Sequence, residues 1–410
     1  MSKINKKKLC RLCCSKDLTK VFSLCVSPLA NNLVSKKSDS LKLKKYPLNL
    51  MFCKKCKHVQ LEHVVDSKEL YNNYLYMTGI SQQFKKHFKN YVDEILKLFN
   101  KDSKLHVLEI GSNDCTLLDY FKDKKCVTVG VEPAQNLWRV TKNNHDIIHS
   151  FYNKETNIKL IDKYKYFDVI NANNVFAHID DLQTVFLLLK DLMHDKSLII
   201  FEVSYLLDVI NKKLFDTIYH EHLDYHSVTP LISFFKKIDL KIINIDKISS
   251  HGGSIRVFVA KDTSARLIKR KKIEELIQQE KRIVKKSAFI KFYNKLEKEK
   301  IKLKEFFQKI QNETVYGYGA SAKVVTLMNY FNLDHNNIKL IVDDSEIKQN
   351  KYIPGTQIRI TSSRILNAKP PKYIIIFAWN IYKDILFKLK NYKNINYIII
   401  PLPKFKIIKI

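Results

Sequence analysis

Two stretches of this sequence show a short apolar run that leads into a glycine-containing loop and then into a helical pattern. Residues 105–110 lead into Gly111 and residues 112–114, and residues 314–319 end in Gly317-Tyr318-Gly319. A short apolar run bounded by glycine is typical of a buried strand. The chain has only eight glycines, so each indicates a backbone position that needs a positive φ or a close approach. The pattern predicts an α/β protein with two Rossmann-like units.

The first unit has the acidic residues of a nucleotide site. Glu109 stands near the end of the first strand, and Glu132 stands at the end of the second, about 20 residues after the glycine loop. A carboxylate at that place can accept hydrogen bonds from both ribose hydroxyls. The chain has no G-x-G-x-x-G at this point, so a dinucleotide is not indicated. The pattern is instead that of class I S-adenosylmethionine (SAM) methyltransferases. The cofactor contacts predicted are Glu109, Gly111, Ser112, Asn113, Asp114, Glu132, Pro133, Ala134 and Asn173.

Further strands are predicted at residues 167–171, 197–203, 241–246 and 254–259. His178 follows the first of these, at the sheet edge where ligands bind in open α/β folds. The other interpretation of His178 is a surface residue at a helix start. Arg256, in the last strand, offers a bidentate contact to an anion.

Residues 215–222 concentrate side chains that transfer protons or bind metals, among them Tyr219, His220, Glu221 and His222. Three interpretations stay open. One is general acid/base catalysis with a histidine as base. A second is a metal site, although the two histidines are two residues apart and would share a face only on a strand. The third is a polar loop at a helix end.

Two Cys-x-x-Cys pairs near the N-terminus predict a metal site. Cys10 and Cys13 form one pair, and Cys53 and Cys56 form the other. Four thiolates satisfy tetrahedral Zn²⁺ and leave no open position, so we expect a structural zinc. His58 and His63 lie outside the pairs and are secondary candidates.

The C-terminal third begins with a connector and continues with the second unit. Residues 265–312 are rich in Lys and Glu, with apolar residues at helical spacing. They predict a helix that joins lobes or dimerises, or simply packed amphipathic helices. Gly317, Gly319 and Lys323 could hold a phosphate at a helix N-terminus, and Asp343 could hold a ribose.

The net charge of +31 raises the possibility of an anionic partner. However, only eight of the 72 basic residues are Arg, and the lysines are spread along the chain. Arg is the usual reader of bases, so nucleic acid is not expected as a partner. The absence of a long apolar run and of a signal-peptide pattern predicts a cytoplasmic protein that does not bind membranes.

Taken together, the motifs resemble the SAM-dependent sugar C-methyltransferases of deoxysugar biosynthesis. The matching strings cover nearly the whole chain in order: residues 28–31 (PLAN), 46–61, 108–114 (LEIGSND), 131–134 (VEPA), 174–178 (NVFAH), 215–222 (FDTIYHEH), 251–254 (HGGS), 317–323 (GYGASAK), 354–356 (PGT) and 378–380 (AWN). The resemblance implies a class I methyltransferase core between a small zinc lobe and a C-terminal Rossmann-like lobe. The expected boundaries are residues 1–66, 67–262, 263–312 for a helical connector, and 313–410.

The resemblance also implies roles for individual residues. His222 would be the general base, with Tyr219, Glu221, His178 and Tyr76 around the reaction centre. The substrate would contact Tyr225, Arg256, Tyr318 and Lys323. The sequence departs from the family pattern at Cys115, Gly79 and Val324, and a side chain at Cys115 could crowd the cofactor loop.

The leading interpretation is C-methylation of a nucleotide-linked 4-keto deoxysugar. A base with a pKa near neutrality removes a proton next to the ketone, and donors stabilise the enolate oxygen. For the C-terminal lobe, an NAD site, a sugar-nucleotide site and a structural relic stay open. Two other functions also stay open: a basic protein that binds or methylates nucleic acid, and an NAD-dependent oxidoreductase. The oligomeric state is not predicted.

Overall fold

The computed structural model describes residues 4–71, 77–99, 104–138, 144–392 and 394–410. The strands are β1 (Ile4–Lys6), β2 (Leu18–Ser27), β3 (Tyr46–Cys53), β4 (Val59–Leu61), β5 (His63–Val65), β6 (His106–Ile110), β7 (Val127–Val131), β8 (Asp146–Ile148), β9 (Phe167–Asn173), β10 (Met193–Ser204), β11 (Asp224–Tyr225), β12 (Leu240–Ile248), β13 (Ser254–Lys261), β14 (Val315–Tyr318), β15 (Leu340–Val342), β16 (Arg359–Thr361), β17 (Tyr373–Ile376), β18 (Tyr397–Ile400) and β19 (Lys406–Lys409). The helices are α1 (Asp39–Lys42), α2 (Ser67–Tyr71), α3 (Gln82–Leu96), α4 (Thr116–Asp123), α5 (Lys154–Tyr164), α6 (Leu182–Asp191), α7 (Leu206–Asn211), α8 (Val228–Lys236), α9 (Arg270–Ile283), α10 (Lys286–Lys309), α11 (Ala322–Phe331), α12 (Ile365–Ala368) and α13 (Tyr382–Leu389).

A small antiparallel sheet forms the N-terminal region, in the order β11-β4-β3-β2. In β3, Tyr46, Leu48, Leu50 and Phe52 are buried and alternate with less buried residues, because successive side chains of a strand point to opposite faces. The fourth strand, β11, comes from much later in the chain and pairs with β4. The catalytic candidates of residues 215–222 therefore run directly into the N-terminal sheet.

The central sheet has seven strands in the order β12-β13-β10-β9-β6-β7-β8. Strands β6 to β10 are mutually parallel, and β13 runs antiparallel to its neighbours β10 and β12. This is the class I methyltransferase arrangement that the sequence predicts. Ligands bind in such sheets beyond the carboxyl ends of the strands, and the loop between β6 and α4 lies at that edge.

The connector consists of two amphipathic helices, as the helical spacing predicts. In α9, Ile273 and Leu276 pack into the core of the central sheet. In α10, Phe289, Phe292 and Leu296 pack into a second core that also contains apolar residues of β2 and of the C-terminal sheet. The connector therefore joins the lobes.

The C-terminal sheet has the order β16-β15-β14-β17-β18-β19 and is parallel except for β19. Its first strand, β14, leads through Gly319 into α11, so the start of α11 lies at the carboxyl edge of this sheet. Across the described ranges, no helix combines the length and the apolarity needed to cross a membrane.

Candidate functional site

A cavity of about 770 Å³ lies where the three regions meet. The loop after β6 forms one wall, and Tyr219, His222 and His178 lie on another. Lys323, at the start of α11, lines it from the C-terminal region. The structure thus brings the predicted cofactor loop, three of the five predicted catalytic residues and one predicted substrate contact to a single space.

The cofactor loop is shaped by alternate residues with positive φ. Gly111 has a φ of 68°, Asn113 of 52° and Cys115 of 64°. A Cβ on Gly111 would lie 2.7 Å from Cγ2 of Val175, so glycine is required there for space as well as for conformation. The Cys115 side chain is buried against the hydrophobic core beside α3 and α4. It does not line the cavity.

Glu132 closes the loop from the end of β7. Its carboxylate accepts hydrogen bonds from the backbone N–H groups of Asn113 and Ala134, each at 2.8 Å. Burial raises the pKa of Glu132 although these two donors oppose the shift. Each carboxylate oxygen has more than one acceptor direction, so Glu132 can hold the loop and still accept from a ribose.

Glu109 gives the test of whether the cavity fits SAM. Its side chain is buried, and Oε2 has no hydrogen-bond partner among the described residues. Burial, together with the carboxylates of Asp114 and Glu132, raises the pKa of Glu109 well above its usual range. A buried acceptor beside two other carboxylates suits a ligand that carries positive charge, as the ammonium and sulfonium groups of SAM do. The residues present therefore fit the cofactor.

Two of the predicted cofactor residues also fasten a neighbouring segment. The side chain of Asn113 accepts from the Thr78 N–H at 3.0 Å, and Asp114 accepts from the Gly79 N–H at 2.7 Å. A Cβ on Gly79 would lie 2.9 Å from Thr116 Oγ1. The absence of a side chain at Gly79 therefore allows this segment to lie directly against the loop.

His222 is held in one tautomer by its surroundings. Its Nδ1 lies 2.8 Å from the carbonyl oxygen of Thr217, which can only accept. The proton must therefore sit on Nδ1, and Nε2 carries the lone pair, 2.9 Å from the Tyr219 hydroxyl. Burial, assisted by the positive charge of Lys323, lowers the pKa of His222 to about 4. The imidazole is therefore neutral at pH 7 and can accept a proton, but its pKa lies below the near-neutral value that the sequence predicts for the base.

Two further histidines face the same cavity. The His178 ring lies 5.0 Å from that of His222, and its Nδ1 is 2.7 Å from the Tyr71 hydroxyl. Burial, with lesser effects of His222 and His251, lowers the pKa of His178 well below its usual range. Burial and the charge of Lys323 lower the pKa of His251 to about 3. All three rings are neutral at pH 7, so cationic charge at this wall comes from lysine.

Four predicted site residues do not line the cavity. Glu221 is buried and accepts from the Asn31 amide at 2.6 Å, and Tyr225 is buried in β11. Arg256 is paired with Glu202 and Glu94 and lies over the Tyr91 ring, so its charge is already compensated. Tyr318 donates to Asp344. Tyr76 lies outside the described residues.

The structure adds lining residues that the sequence analysis did not single out. Asn31 and His251 belong to motif strings, PLAN and HGGS, and that membership was the available signal. Thr217 likewise belongs to the string FDTIYHEH, whereas Tyr71 and Lys348 had no such signal. These two lie in a short helix and a loop, where contacts depend on tertiary structure.

The four predicted cysteines form one cluster, with their Sγ atoms all within 4.8 Å of one another. Each Cys-x-x-Cys pair is a tight turn, since the N–H of Cys14 bonds to the Cys10 carbonyl and that of Lys57 to the Cys53 carbonyl. This spacing fits tetrahedral Zn²⁺. His58 lies outside this cluster, and its Nε2 bonds to Asp224 at 2.7 Å.

Comparison with protein-family models identifies three consecutive domains. Residues 10–71 match a putative zinc binding domain, residues 84–245 a methyltransferase domain, and residues 249–403 a C-methyltransferase C-terminal domain. The chain is also similar to the C-methyltransferase NovU of Streptomyces niveus, with 28% identity over 405 residues, which cover 97% of this chain and 96% of NovU.

Solved structures of methyltransferases match less than half of the chain. An S-adenosylmethionine-dependent methyltransferase from Clostridium acetobutylicum is 13% identical and covers 43% of this chain and 92% of its own, with a TM-score of 0.35. Magnesium protoporphyrin IX methyltransferase from Synechocystis, with SAM bound, is 10% identical and covers 43% of this chain and 79% of its own, with a TM-score of 0.32.

Proposed function

Because the chain matches a zinc binding domain, a methyltransferase domain and a C-methyltransferase C-terminal domain in succession and is similar over its length to a C-methyltransferase, we propose that it is a SAM-dependent C-methyltransferase whose acceptor is a nucleotide-linked 4-keto deoxysugar, methylated at a carbon next to the ketone. The observation that carries the proposal is that one cavity holds both the cofactor loop and His222, whose Nδ1–H is held by the Thr217 carbonyl so that Nε2 carries the lone pair. When bound, SAM supplies a methyl group activated by its sulfonium.

In this proposal His222 removes the proton next to the ketone. The C–H bond breaks, its electron pair forms the enolate, and the proton moves to Nε2. The developing imidazolium is stabilised by the Thr217 carbonyl, which already accepts from Nδ1–H. That arrangement fixes the ring orientation and so avoids reorganisation during the reaction.

The second requirement is stabilisation of the enolate oxygen. The nearby charge of Lys323 disfavours protonation of His222, so proton transfer to His222 needs a compensating stabilisation of the enolate. The Tyr219 hydroxyl, 2.9 Å from Nε2, donates to that nitrogen until the substrate proton arrives there, and it can then donate to an oxygen bound beside the histidine. Lys323 itself lines the same cavity, and its charge favours an oxyanion there. One cation thus opposes the imidazolium but stabilises the enolate.

The nucleotide end of the acceptor is proposed to lie at the start of α11. Ser321, Ala322, Lys323 and Lys348 line the cavity at this helix N-terminus. A helix N-terminus with two lysines favours a diphosphate. Asp343, the ribose candidate, instead accepts from the Ala320 N–H at 2.6 Å and so closes the turn after β14.

The cofactor part is tested by calorimetric binding of S-adenosylhomocysteine. We expect micromolar affinity for the wild type and at least a tenfold loss for Glu132→Ala, because the loop loses its acceptor for two N–H groups. Glu155→Ala is the matched control, since Glu155 is an exposed residue of the same domain, paired with Lys159. Equal affinity of all three proteins would contradict the assignment of this site.

The acceptor part is tested by proton exchange in D₂O, using nucleotide-linked 4-keto deoxysugars with S-adenosylhomocysteine present. Deuterium should enter next to the ketone with the wild type, and His222→Gln should lose this exchange while keeping its affinity for S-adenosylhomocysteine. His194→Gln, a histidine outside the cavity, is the control. Exchange retained by His222→Gln would assign the base elsewhere, and no exchange or methylation with any such sugar would refute the substrate class.

A further inference from the structure

Arg11 lies inside the first cysteine pair, between Cys10 and Cys13, yet its side chain points away from the metal cluster into the protein. Its side chain is 1% exposed. The backbone N–H donates to the Gln60 side chain at 2.9 Å. The position of Arg11 is therefore fixed on one side by the turn that carries two metal ligands.

The guanidinium contacts three chain segments. Nη1 donates to the Leu61 carbonyl at 2.9 Å and lies 3.4 Å from the Leu223 carbonyl. Nε donates to the Asp180 carboxylate at 3.1 Å. Leu223 directly follows His222, and Asp180 lies two residues after His178. Both Leu223 and Asp180 line the cavity.

The backbone connects these two contacts to each other. The N–H groups of Leu223 and Asp224 donate to the Ala177 carbonyl at 2.7 and 3.2 Å. Ala177 directly precedes His178, and the segment after His222 is thus bonded to the segment of His178. A single buried guanidinium holds both segments from the outside, while their histidine rings meet at 5.0 Å on the inside.

We propose that Arg11 is a positioning residue through which the metal-organised turn sets the relative geometry of His222 and His178. The inference rests on the proposed function, in which these two histidines line the reaction centre. An arginine suits the task because its planar donors reach three acceptors at once, which the single ammonium of lysine cannot do.

The test compares Arg11→Met and Arg11→Lys with the wild type. Lys54→Met is the matched control, because Lys54 occupies the same place in the second cysteine pair but forms an exposed ion pair with Asp17. Zinc content and S-adenosylhomocysteine affinity should stay within twofold in all variants. The imidazole ¹⁵N signals, assigned with His222→Gln and His178→Gln, should shift for His222 and His178 in both Arg11 variants but not in Lys54→Met.

With an accepted keto sugar, kcat of Arg11→Met should fall about tenfold with little change in KM, since a small displacement of a catalytic group costs rate and not binding. Removal of zinc from the wild type should shift the ¹⁵N signals of the same two histidines. Removal of zinc from Arg11→Met should not shift these signals further.

Unshifted signals in Arg11→Met, or an equal shift in Lys54→Met, would overturn the proposal. Loss of zinc in both Arg11 variants would also overturn it, because Arg11 would then act on the metal site itself. The signals report geometry without turnover, so they still decide the role of Arg11 if no keto sugar is accepted. Conversely, methylation by the wild type together with unshifted signals leaves the proposed function standing and removes only the positioning role.

Discussion

Buried histidines at and near the cavity link the protonation of this protein to its stability. His220 shows the effect outside the cavity wall, since its ring is buried beside Tyr46 and its Nε2 lies 3.1 Å from the Tyr46 carbonyl. Burial lowers the pKa of His220 to about 4, although the Tyr46 carbonyl opposes the shift. Glu221 behaves in the opposite sense, because burial raises its pKa to about 7.

The sign of the His220 contribution follows from proton binding. Between pH 6.5 and 4 the unfolded chain binds the proton and the folded chain does not, so stability is present above pH 6.5 and is lost as the pH falls. His220→Gln keeps a donor for the Tyr46 carbonyl, because its amide nitrogen reaches about as far as Nε2, and it removes the titration. The free energy of unfolding of the wild type should decrease between pH 7 and pH 5. We expect this decrease to be smaller in the variant by about 2 kcal/mol.

Scanning calorimetry at pH 7, 6 and 5 measures this difference as a smaller decrease in Tm. His220→Asn, whose shorter amide does not reach the Tyr46 carbonyl, is the second variant and should flatten the profile in the same way. If the Tm of both variants decreased with pH as steeply as the Tm of the wild type, His220 would not stay neutral in the folded protein.

At the scale of elements, α8 begins without a side-chain cap of its own. The N-cap residue Ser227 makes no capping hydrogen bond. Glu280 of α9 supplies the acceptors instead, from the Val228 N–H at 2.6 Å and from the Thr229 N–H at 2.9 Å. It also accepts from the Tyr205 hydroxyl at 2.9 Å. The connector thus stabilises the start of a helix in the central domain, where a negative charge is also favoured by the helix dipole.

Glu280→Ala should therefore destabilise the protein by about 3 kcal/mol or more, because several buried donors lose their acceptor. The expected result is a clear decrease in Tm by differential scanning fluorimetry. Glu275→Ala, an exposed glutamate of the same helix, should melt within about a degree of the wild type. Equal Tm values for the two variants would contradict the capping role.

The sequence predicted the elements better than their tertiary contacts. Apolar runs located β6, β9, β10, β12, β13 and β14 closely, because a buried strand needs an uninterrupted or alternating apolar pattern. The four cysteines were found for a similar reason, since metal coordination imposes a local spacing.

Long-range pairing explains what the sequence did not predict. Arg256 sits on β13 as predicted, yet it is paired with Glu202 of β10 and Glu94 of α3. Nothing local to Arg256 distinguishes a residue that binds an anionic ligand from one that compensates carboxylates elsewhere in the chain. The same applies to Tyr71, which meets His178 only through tertiary folding.

At the scale of the whole molecule, the segment of residues 215–222 lies where the lobes meet. Phe215 and Ile218 share one hydrophobic core with β2, β3 and the C-terminal sheet. Between these apolar residues, the buried Asp216 accepts from the Trp379 indole N–H at 2.7 Å. Burial raises the pKa of Asp216, and Lys323 and the Trp379 donor oppose the shift. A polar contact thus fixes the position of the C-terminal lobe against residues 215–222.

Trp379→Phe should weaken the contact between the C-terminal lobe and residues 215–222, because Asp216 loses its indole donor at a cost of about 1–3 kcal/mol. We expect faster hydrogen exchange of amides in residues 215–226 and at the start of α11, with α5 as an internal control. Asp216→Asn in the Trp379→Phe background should recover part of the protection, since an amide tolerates burial better than a carboxylate. Unchanged hydrogen exchange at residues 215–226 would show that the Asp216–Trp379 hydrogen bond does not hold the C-terminal lobe against this segment.

The pairing of β11 with β4 has a consequence for synthesis of the chain on the ribosome. Strands β2, β3 and β4 are complete by residue 61, but their partner strand is Asp224–Tyr225. At roughly 5–20 residues per second, the intervening chain takes on the order of ten to thirty seconds to emerge. Throughout that interval β4 presents an unpaired edge, which is a template for association with other nascent chains. The small N-terminal sheet begins first and is finished only after most of the methyltransferase domain has been made.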